Sequence, residues 1–164
     1  DYHQKILTTQ DLLARADNWR NQGKVVVFTN GCFDILHLGH IEYLRQAASL
    51  GDFLVVGLNS QASVSRLKGP SRPIQDEKSR AAVLASLTSV DAVCIFEEDT
   101  PERLIHALSP DILVKGGDWK PEDILGSDWV LSRGGKVRSI SFVEGYSTTR
   151  IEQKIREQRR PYNL

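Results

Sequence analysis

Residues 25–40 have the sequence VVVFTNGCFDILHLGH, an apolar run followed by a polar, glycine-containing loop and then by the start of a helix. The apolar run 25–28 is continuous rather than alternating, which is typical of a strand buried on both faces of a parallel sheet. The helical pattern begins near His37 and stops before Gly51, with apolar residues at helical spacing between them. A buried strand that leads into a helix predicts the first half of a βαβ unit.

The rest of the chain repeats this alternation of strand and helix. Further apolar runs that predict strands lie at residues 53–58, 92–96, 112–114 and 136–140. Helical patterns lie at residues 11–22, 76–87 and 121–133, with further helix starts at Thr100-Pro101 and about Ser147, and a polar loop through Pro70 and Pro73 precedes the second of them. The alternation predicts an α/β fold, a Rossmann-like open parallel five-stranded sheet with helices on both faces. Ligands bind such sheets beyond the carboxyl ends of the strands, so the loops after Phe28, Leu58, Val114 and Ile140 are the candidate site.

Length and composition predict one ordinary domain. The 164 residues are expected to form a single domain over residues 1–164, with residues 1–23 as an amino-terminal helical extension. The 21 basic residues balance the 21 acidic ones, so no global charge attracts nucleic acid or an anionic membrane, and neither is expected as a partner. Two cysteines are too few for a disulfide framework, and no segment resembles a signal peptide or a membrane span. We therefore expect a cytoplasmic protein.

Two histidines lie three residues apart in the first predicted loop. His37 and His40 can project to the same side of the first helical turn, where free amides and the helix dipole favour an anion. Gly39 between them leaves room for a phosphate near the backbone. The alternatives are histidines that hydrogen-bond within the fold, or a metal pair. Zinc needs three or four ligands, and neither Cys32 nor the two other histidines has a ligand spacing, so phosphate binding is favoured.

A hydroxyl-rich stretch opens the last predicted helix. Residues 144–150 have the sequence EGYSTTR, in which Ser147 is a favoured N-cap and the adjacent hydroxyls and amides can bind an anion. An ordinary capped helix is the alternative. Because this stretch also follows a strand of the parallel sheet, we expect it to lie near His37 and His40.

Two more loops carry candidate ligand contacts. Residues 66–74, RLKGPSRPI, contain three cations in irregular backbone, which indicates either a mobile phosphate lid or a solvated surface loop. Residues 114–119, VKGGDW, pair two glycines with a carboxylate that can bind ribose hydroxyls, or else form a turn that Asp118 caps.

Together these stretches resemble the cytidylyltransferase-like nucleotidyltransferase superfamily. Its His-x-Gly-His (HxGH) signature is similar to residues 37–40, and its second signature is similar to residues 147–150. The resemblance implies the HxGH type of nucleotidyltransferase fold. It also implies that His37 and His40 bind the triphosphate and stabilise the transition state, with Lys68 as a further catalytic contact.

The resemblance implies two further groups of site residues. The nucleotide contacts that it implies are Thr29, Asn30, Gly31, Cys32, Phe33, Gly39, Gly116, Gly117, Asp118, Ser147, Thr148, Thr149 and Arg150. The substrate contacts that it implies are Asp34, Arg66, Arg72 and Arg80, and for Asp34 a metal-bound water is the alternative to sugar hydroxyls. For Arg80, a structural pair with Asp76 is an equal alternative.

Within the superfamily, residues 66–74, 96–101 and 114–118 resemble the heptose 1-phosphate adenylyltransferases, and the resemblance extends from about Thr9 to Ile155. It implies that D-glycero-β-D-manno-heptose 1-phosphate and ATP give ADP-heptose and pyrophosphate, a step toward the lipopolysaccharide inner core. Mg²⁺ is expected mainly on the ATP phosphates, without a metal site of protein ligands, and a homodimer is implied. In many bacteria this activity forms one half of a bifunctional protein with a sugar kinase, so the chain is expected to be a stand-alone form or an excised domain.

Two other functions remain open. Glycerol-3-phosphate cytidylyltransferases, which use CTP, typically carry an arginine where this chain has Phe142, and a more acidic turn where it has Lys115-Gly116-Gly117. Both differences favour adenine. A non-catalytic nucleotide-binding module is the third possibility, and the intact His37 and His40 argue against it.

Overall fold

The computed structural model describes residues 1–159, and residues 160–164 of the predicted single domain lie outside that range. Its centre is one sheet of five parallel strands in the order β3-β2-β1-β4-β5. The strands are β1 (Val26–Gly31), β2 (Phe53–Asn59), β3 (Ala92–Phe96), β4 (Ile112–Gly116) and β5 (Lys136–Ile140). The helices are α1 (Thr9–Asn21), α2 (Leu38–Ala48), α3 (Gln61–Lys68), α4 (Glu77–Ala85), α5 (Glu102–Leu108), α6 (Ser127–Ser132) and α7 (Thr148–Glu157). The predicted Rossmann-like α/β fold is confirmed.

Helices cover both faces of the sheet because successive strand residues point to opposite sides. Val26 faces a core that contains buried residues of α1 and α5, whereas Val27 faces a core that contains those of α2 and α4. Within the predicted amino-terminal extension, Leu12 and Ala16 are fully buried. The apolar face of α1 therefore packs on the sheet of its own chain.

The sheet opens between β1 and β4, where the strand order reverses. These two strands pair only at Val27↔Ile112 and Phe28↔Leu113, so they separate toward their carboxyl ends. The hydroxyl of Tyr43 bridges the gap by bonding to the hydroxyl of Thr29 and, at 3.4 Å, to the carbonyl oxygen of Val114. A cleft at such a switch point is where open α/β sheets bind ligands.

Three details differ from the sequence-based prediction. The polar loop after β2 contains the helix α3, which Ser60 caps by accepting a bond from the Ser63 amide at 3.1 Å. The predicted helix 121–133 is a 3₁₀ turn followed by α6, separated at Gly126, whose φ of 86° is outside the helical region. The helix predicted to be capped by Thr100 begins one residue later, with Pro101 at the N-cap.

None of the helices in residues 1–159 is long and apolar enough to cross a membrane.

Candidate active site at the carboxyl end of the sheet

The histidine turn, residues 37–40, joins β1 to α2. His37 is the N-cap of α2, and its Nδ1 accepts a hydrogen bond from the Gly39 amide at 3.1 Å. The Nδ1 of His40 accepts one from the His37 amide at 3.3 Å, and the two ring centroids lie 3.9 Å apart. Because each Nδ1 accepts, a neutral ring carries its proton on Nε2. Both rings can therefore donate that proton to a ligand oxygen.

Gly39 allows this close arrangement. A Cβ atom at residue 39 would lie 2.8 Å from Cε1 of His37 and 3.5 Å from Cβ of Tyr146. The glycine therefore makes room for the His37 ring and for the turn before α7. The predicted approach of a phosphate to the backbone of Gly39 stays a prediction.

The histidine turn is uncharged at neutral pH in the free protein. Burial, and then the nearby His37 and Lys68, lower the pKa of His40 to about 4. Burial also lowers the pKa of His37 below its usual value. An arriving phosphate opposes this effect because an anion favours the protonated imidazole. The two rings can thus bind an anion as neutral donors and become more basic once it is present.

A central cavity of about 510 Å³ lies above the gap between β1 and β4. His40 and Lys68 line it, and Thr148 from the start of α7 closes one side. The other predicted site residues that line the central cavity are Asn30, Gly31, Cys32, Phe33, Asp34, Arg72 and Gly116. The cavity thus joins the loops after β1, β2 and β4 with the start of α7, as the sequence predicts.

A side cavity of about 470 Å³ lies next to the central one, since the ring of His37, which lines the side cavity, is 3.9 Å from that of His40, which lines the central cavity. His37 lines it together with Ser147 and Arg150. Ser147 caps α7 by accepting a bond from the Arg150 amide at 3.1 Å, and the Thr148 hydroxyl lies 3.4 Å from the Ile35 carbonyl oxygen to which it donates. The histidine turn and the start of α7 therefore flank the same space, although they are distant in sequence.

Asp34 lines the central cavity, but its carboxylate is bonded mainly within the fold. Its side chain is 3 % exposed, and its carboxylate accepts bonds from the amides of Ile74 and Gln75 at 2.8 and 2.9 Å. A guanidinium nitrogen of Arg72 lies 3.4 Å from the same carboxylate. These contacts fix the end of the loop 66–74 to the loop after β1. The substrate contact of Asp34 stays a prediction.

Arg80 is placed differently from the prediction. It is 1 % exposed and is absent from the walls of both cavities. Its guanidinium donates to the carbonyl oxygens of Gln75, Cys32 and Asn59 at 3.1, 2.9 and 2.8 Å. It therefore ties the loops after β1 and β2 together from behind the site, and no carboxylate of Asp76 pairs with it.

Six other predicted contacts lie outside both cavities, and Gly39 of the histidine turn is one of them. The hydroxyl of Thr29 is buried against Tyr43, and Arg66 is paired with Asp99 at 2.9 Å on the surface. Asp118 is exposed and accepts a bond from the Ser141 hydroxyl at 3.2 Å. Gly117 and Thr149 line neither cavity.

Several residues of the central cavity are not among the predicted site residues. Tyr43, Lys115, Trp119 and Phe142 line it. Phe142 is 65 % exposed and Trp119 is 48 % exposed, so both aromatic rings present area to the cavity and to solvent. For Tyr43 a signal existed, since it lies three residues after His40 and so on the same helix face.

Among residues 1–159, no three His, Cys, Asp or Glu side chains converge closely enough to hold a metal ion. Besides the carboxylates of Asp34, Asp99 and Glu157, the polar groups that line the two cavities are cations, imidazoles, hydroxyls and amides, which suit an anionic ligand.

Comparison with known proteins gives a consistent result. Residues 28–154 match the family described as cytidylyltransferase-like. A relative named bifunctional protein HldE, from Syntrophotalea carbinolica, is 54 % identical over 155 residues, which cover 94 % of this chain and 32 % of the relative. A protein of the same name from Trichlorobacter lovleyi is 59 % identical over 138 residues, covering 84 % and 28 %. The chain therefore spans about a third of the length of these relatives.

Two solved structures share the fold. The lipopolysaccharide core biosynthesis protein from Thermoplasma volcanium is 33 % identical, with a TM-score of 0.59, and the match covers 76 % of this chain and all of that one. A pantoate-β-alanine ligase from Francisella tularensis has the same TM-score of 0.59 at 15 % identity, covering 93 % of this chain and 77 % of the ligase. The second match supports the fold alone.

Proposed function

The chain belongs to the cytidylyltransferase-like family of nucleotidyltransferases, and from this membership we propose that it transfers an adenylyl group from ATP to a sugar 1-phosphate. The proposed sugar substrate is D-glycero-β-D-manno-heptose 1-phosphate, with ADP-heptose and pyrophosphate as products. The names of the relatives and of the Thermoplasma volcanium protein support this choice, as does the resemblance of residues 66–74 and 114–118 to heptose 1-phosphate adenylyltransferases. The product is a precursor for the lipopolysaccharide inner core.

One observation carries the proposal: the histidine turn and the start of α7 flank adjoining cavities. His40 and Thr148 line the central cavity, and His37 and Ser147 line the side cavity. A polyphosphate that extends from one cavity to the other would contact both signatures at once. We therefore assign the nucleoside and the α-phosphate to the central cavity and the β- and γ-phosphates to the side cavity.

The proposed reaction needs charge stabilisation more than proton transfer. An oxygen of the sugar phosphate attacks the α-phosphorus and forms a new O–P bond, while the bond to the α,β-bridging oxygen breaks and pyrophosphate takes the electron pair. The attacking phosphate is already anionic near neutral pH, so no general base is required. The Nε2 protons of His37 and His40 and the ammonium of Lys68 stabilise the growing negative charge. Positioning of the two substrates supplies the rest of the rate enhancement.

We propose that Mg²⁺ binds together with ATP. The site offers cations and neutral donors rather than a carboxylate cluster, which fits a metal ion held mainly by phosphate oxygens and water. When bound, it neutralises part of the triphosphate charge.

The aromatic residues of the central cavity support ATP over CTP. The Phe142 ring packs against the backbone of Gly116, and Trp119 donates to the Gly116 carbonyl oxygen at 3.1 Å. These flat surfaces favour stacking with the larger purine ring. Residue 142 is Phe rather than the arginine that is typical of glycerol-3-phosphate cytidylyltransferases, so we propose CTP only as the alternative nucleotide.

The test is a pyrophosphate-release assay of the purified chain with ATP or CTP against several sugar phosphates. We expect release with ATP and heptose 1-phosphate, and much slower release with CTP. Faster release with CTP and glycerol 3-phosphate would support the cytidylyltransferase alternative. Nucleotide binding without release for any sugar phosphate would support a non-catalytic module.

The proposal also includes a single domain, a homodimer and a cytoplasmic location. Free thiols at Cys32 and Cys94 and the use of ATP support a reducing compartment. Light scattering of the purified chain tests the dimer directly.

A further inference from the structure

Helix α7 is held to the rest of the fold by few contacts. It has no buried residue. Within residues 1–159, two of its side chains form hydrogen bonds to other elements: Thr148 to the Ile35 carbonyl oxygen, and Glu152 to Arg72. Yet the amino end of α7 provides Ser147 and Thr148, one to each cavity. The position of these two hydroxyls therefore depends on a small number of bonds.

Arg72 connects α7 to the loop after β1. One guanidinium nitrogen lies 3.4 Å from the Asp34 carboxylate and also forms an ion pair with Glu152. The Arg72 side chain is 15 % exposed and that of Glu152 is 24 % exposed. This partial burial reduces screening by water, so the pair is worth more than an exposed ion pair.

Arg72 is itself firmly positioned. Its carbonyl oxygen accepts a bond from the Ser65 hydroxyl at 2.6 Å, and the next residues are fixed by the bonds from the Ile74 and Gln75 amides to Asp34. Lys68 lies between Ser65 and Arg72, at the end of α3, and lines the central cavity. Arg72 therefore anchors Glu152 to the loop 66–74, which is held by these bonds and also contains Lys68.

We propose that Glu152 is a positioning residue for the reaction: through Arg72 it holds the start of α7 at the distance from the histidine turn that the triphosphate requires. This inference rests on the proposed function. The direction of the change in ATP affinity distinguishes this role from a simple charge effect. Removal of a negative charge near a polyphosphate site should strengthen ATP binding by Coulomb's law alone. Loss of positioning should have the opposite effect.

The experiment compares Glu152→Ala and Glu152→Gln with the control Glu42→Ala. Glu42 pairs with Arg45 at 2.9 Å on the surface of α2, so the control also removes a carboxylate from an Arg–Glu pair, on the helix that carries His40. The readouts are kcat and KM for ATP and for the sugar 1-phosphate, and amide hydrogen exchange of residues 148–157 without nucleotide. Circular dichroism checks that each variant is folded.

We expect Glu152→Ala to lower kcat/KM for ATP roughly tenfold, the scale of a lost hydrogen bond between charged groups. Glu152→Gln, which keeps an acceptor, should lose less. The KM for the sugar phosphate should stay within about twofold, and exchange should accelerate in α7 but not in α2. Glu42→Ala should match the unmodified chain. In an Arg72→Ala background, Glu152→Ala should have no further effect, because the two residues act as one unit.

Two results would overturn the inference. Glu152→Ala could behave as Glu42→Ala does in both readouts, or it could tighten ATP binding, which would mean that Glu152 only keeps Arg72 away from the nucleotide. Failure of the proposed function is distinguishable. In that case the unmodified chain releases no pyrophosphate, while the exchange measurement still reports whether Glu152 fixes α7.

Discussion

The protonation of His40 gives the sharpest prediction about the free protein. Burial and the nearby His37 and Lys68 lower its pKa from 6.5 to about 4. At pH 6 a ring with that pKa is about 1 % protonated, whereas a ring with the ordinary value is roughly three-quarters protonated. We therefore expect His40 to remain neutral through the whole physiological range until a phosphate binds.

Nuclear magnetic resonance of the histidine rings measures this pKa directly. Glutamine has no imidazole ring, so the histidine resonance that is missing from the spectrum of His40→Gln is that of His40. The signal should titrate with a midpoint near 4 in the free protein and shift to higher pH when pyrophosphate is added. A midpoint near 6.5 without ligand would contradict the lowered pKa of His40, since it would mean that water solvates the ring freely.

The same shift predicts how stability depends on pH. Between pH 6.5 and 4 the unfolded chain protonates residue 40 while the folded chain does not, so the free energy of unfolding falls as the pH falls through this window. The full shift corresponds to at most about 3 kcal/mol, and partial exposure of the ring reduces that figure. Urea unfolding at several pH values should show a smaller acid loss in His40→Gln than in the unmodified chain. Equal losses would contradict the assignment.

Three further substitutions test the site. His40→Ala should lower kcat by roughly 100-fold or more with a small change in KM for ATP, because its contact strengthens in the transition state; equal effects on both constants would reduce His40 to a binding residue. Arg80→Leu should lower the free energy of unfolding by about 3 kcal/mol in urea, since one buried and two partly buried carbonyl oxygens lose their donor; unchanged stability with a raised KM would instead make Arg80 a substrate contact. Phe142→Arg should shift the ATP-to-CTP ratio of kcat/KM toward CTP, and an unchanged ratio in competition assays would exclude Phe142 from nucleotide selection.

The fold could be predicted because the sequence signal is strong where the chain is buried on both faces. Continuous apolar runs such as 25–28 and 53–58 have few alternatives to parallel strands when helices separate them. The helix α3 was missed because it is short and polar and because Pro70 and Pro73 follow it closely. Its formation depends on the Ser60 cap and on packing of Val64, which is fully buried.

The site could be predicted only in part, because sequence shows which groups are present but not which way they face. The histidine turn and Ser147 could be located from their positions after strands. Asp34 and Arg80 have the side chains of ligand contacts, yet one binds loop amides and the other binds loop carbonyl oxygens. Burial of these two charged side chains depends on the tertiary structure, so the sequence alone does not show it.

In the proposed complex, one triphosphate contacts both the histidine turn and the start of α7. A crystal structure with Mg²⁺ and a non-hydrolysable ATP analogue would test this contact. We expect phosphate oxygens within hydrogen-bonding distance of Nε2 of His37 and His40 and of the amides or hydroxyls of residues 147–149. A triphosphate seated elsewhere, for example in the basic cavity near Lys24 and Arg133 at the opposite end of the sheet, would contradict it.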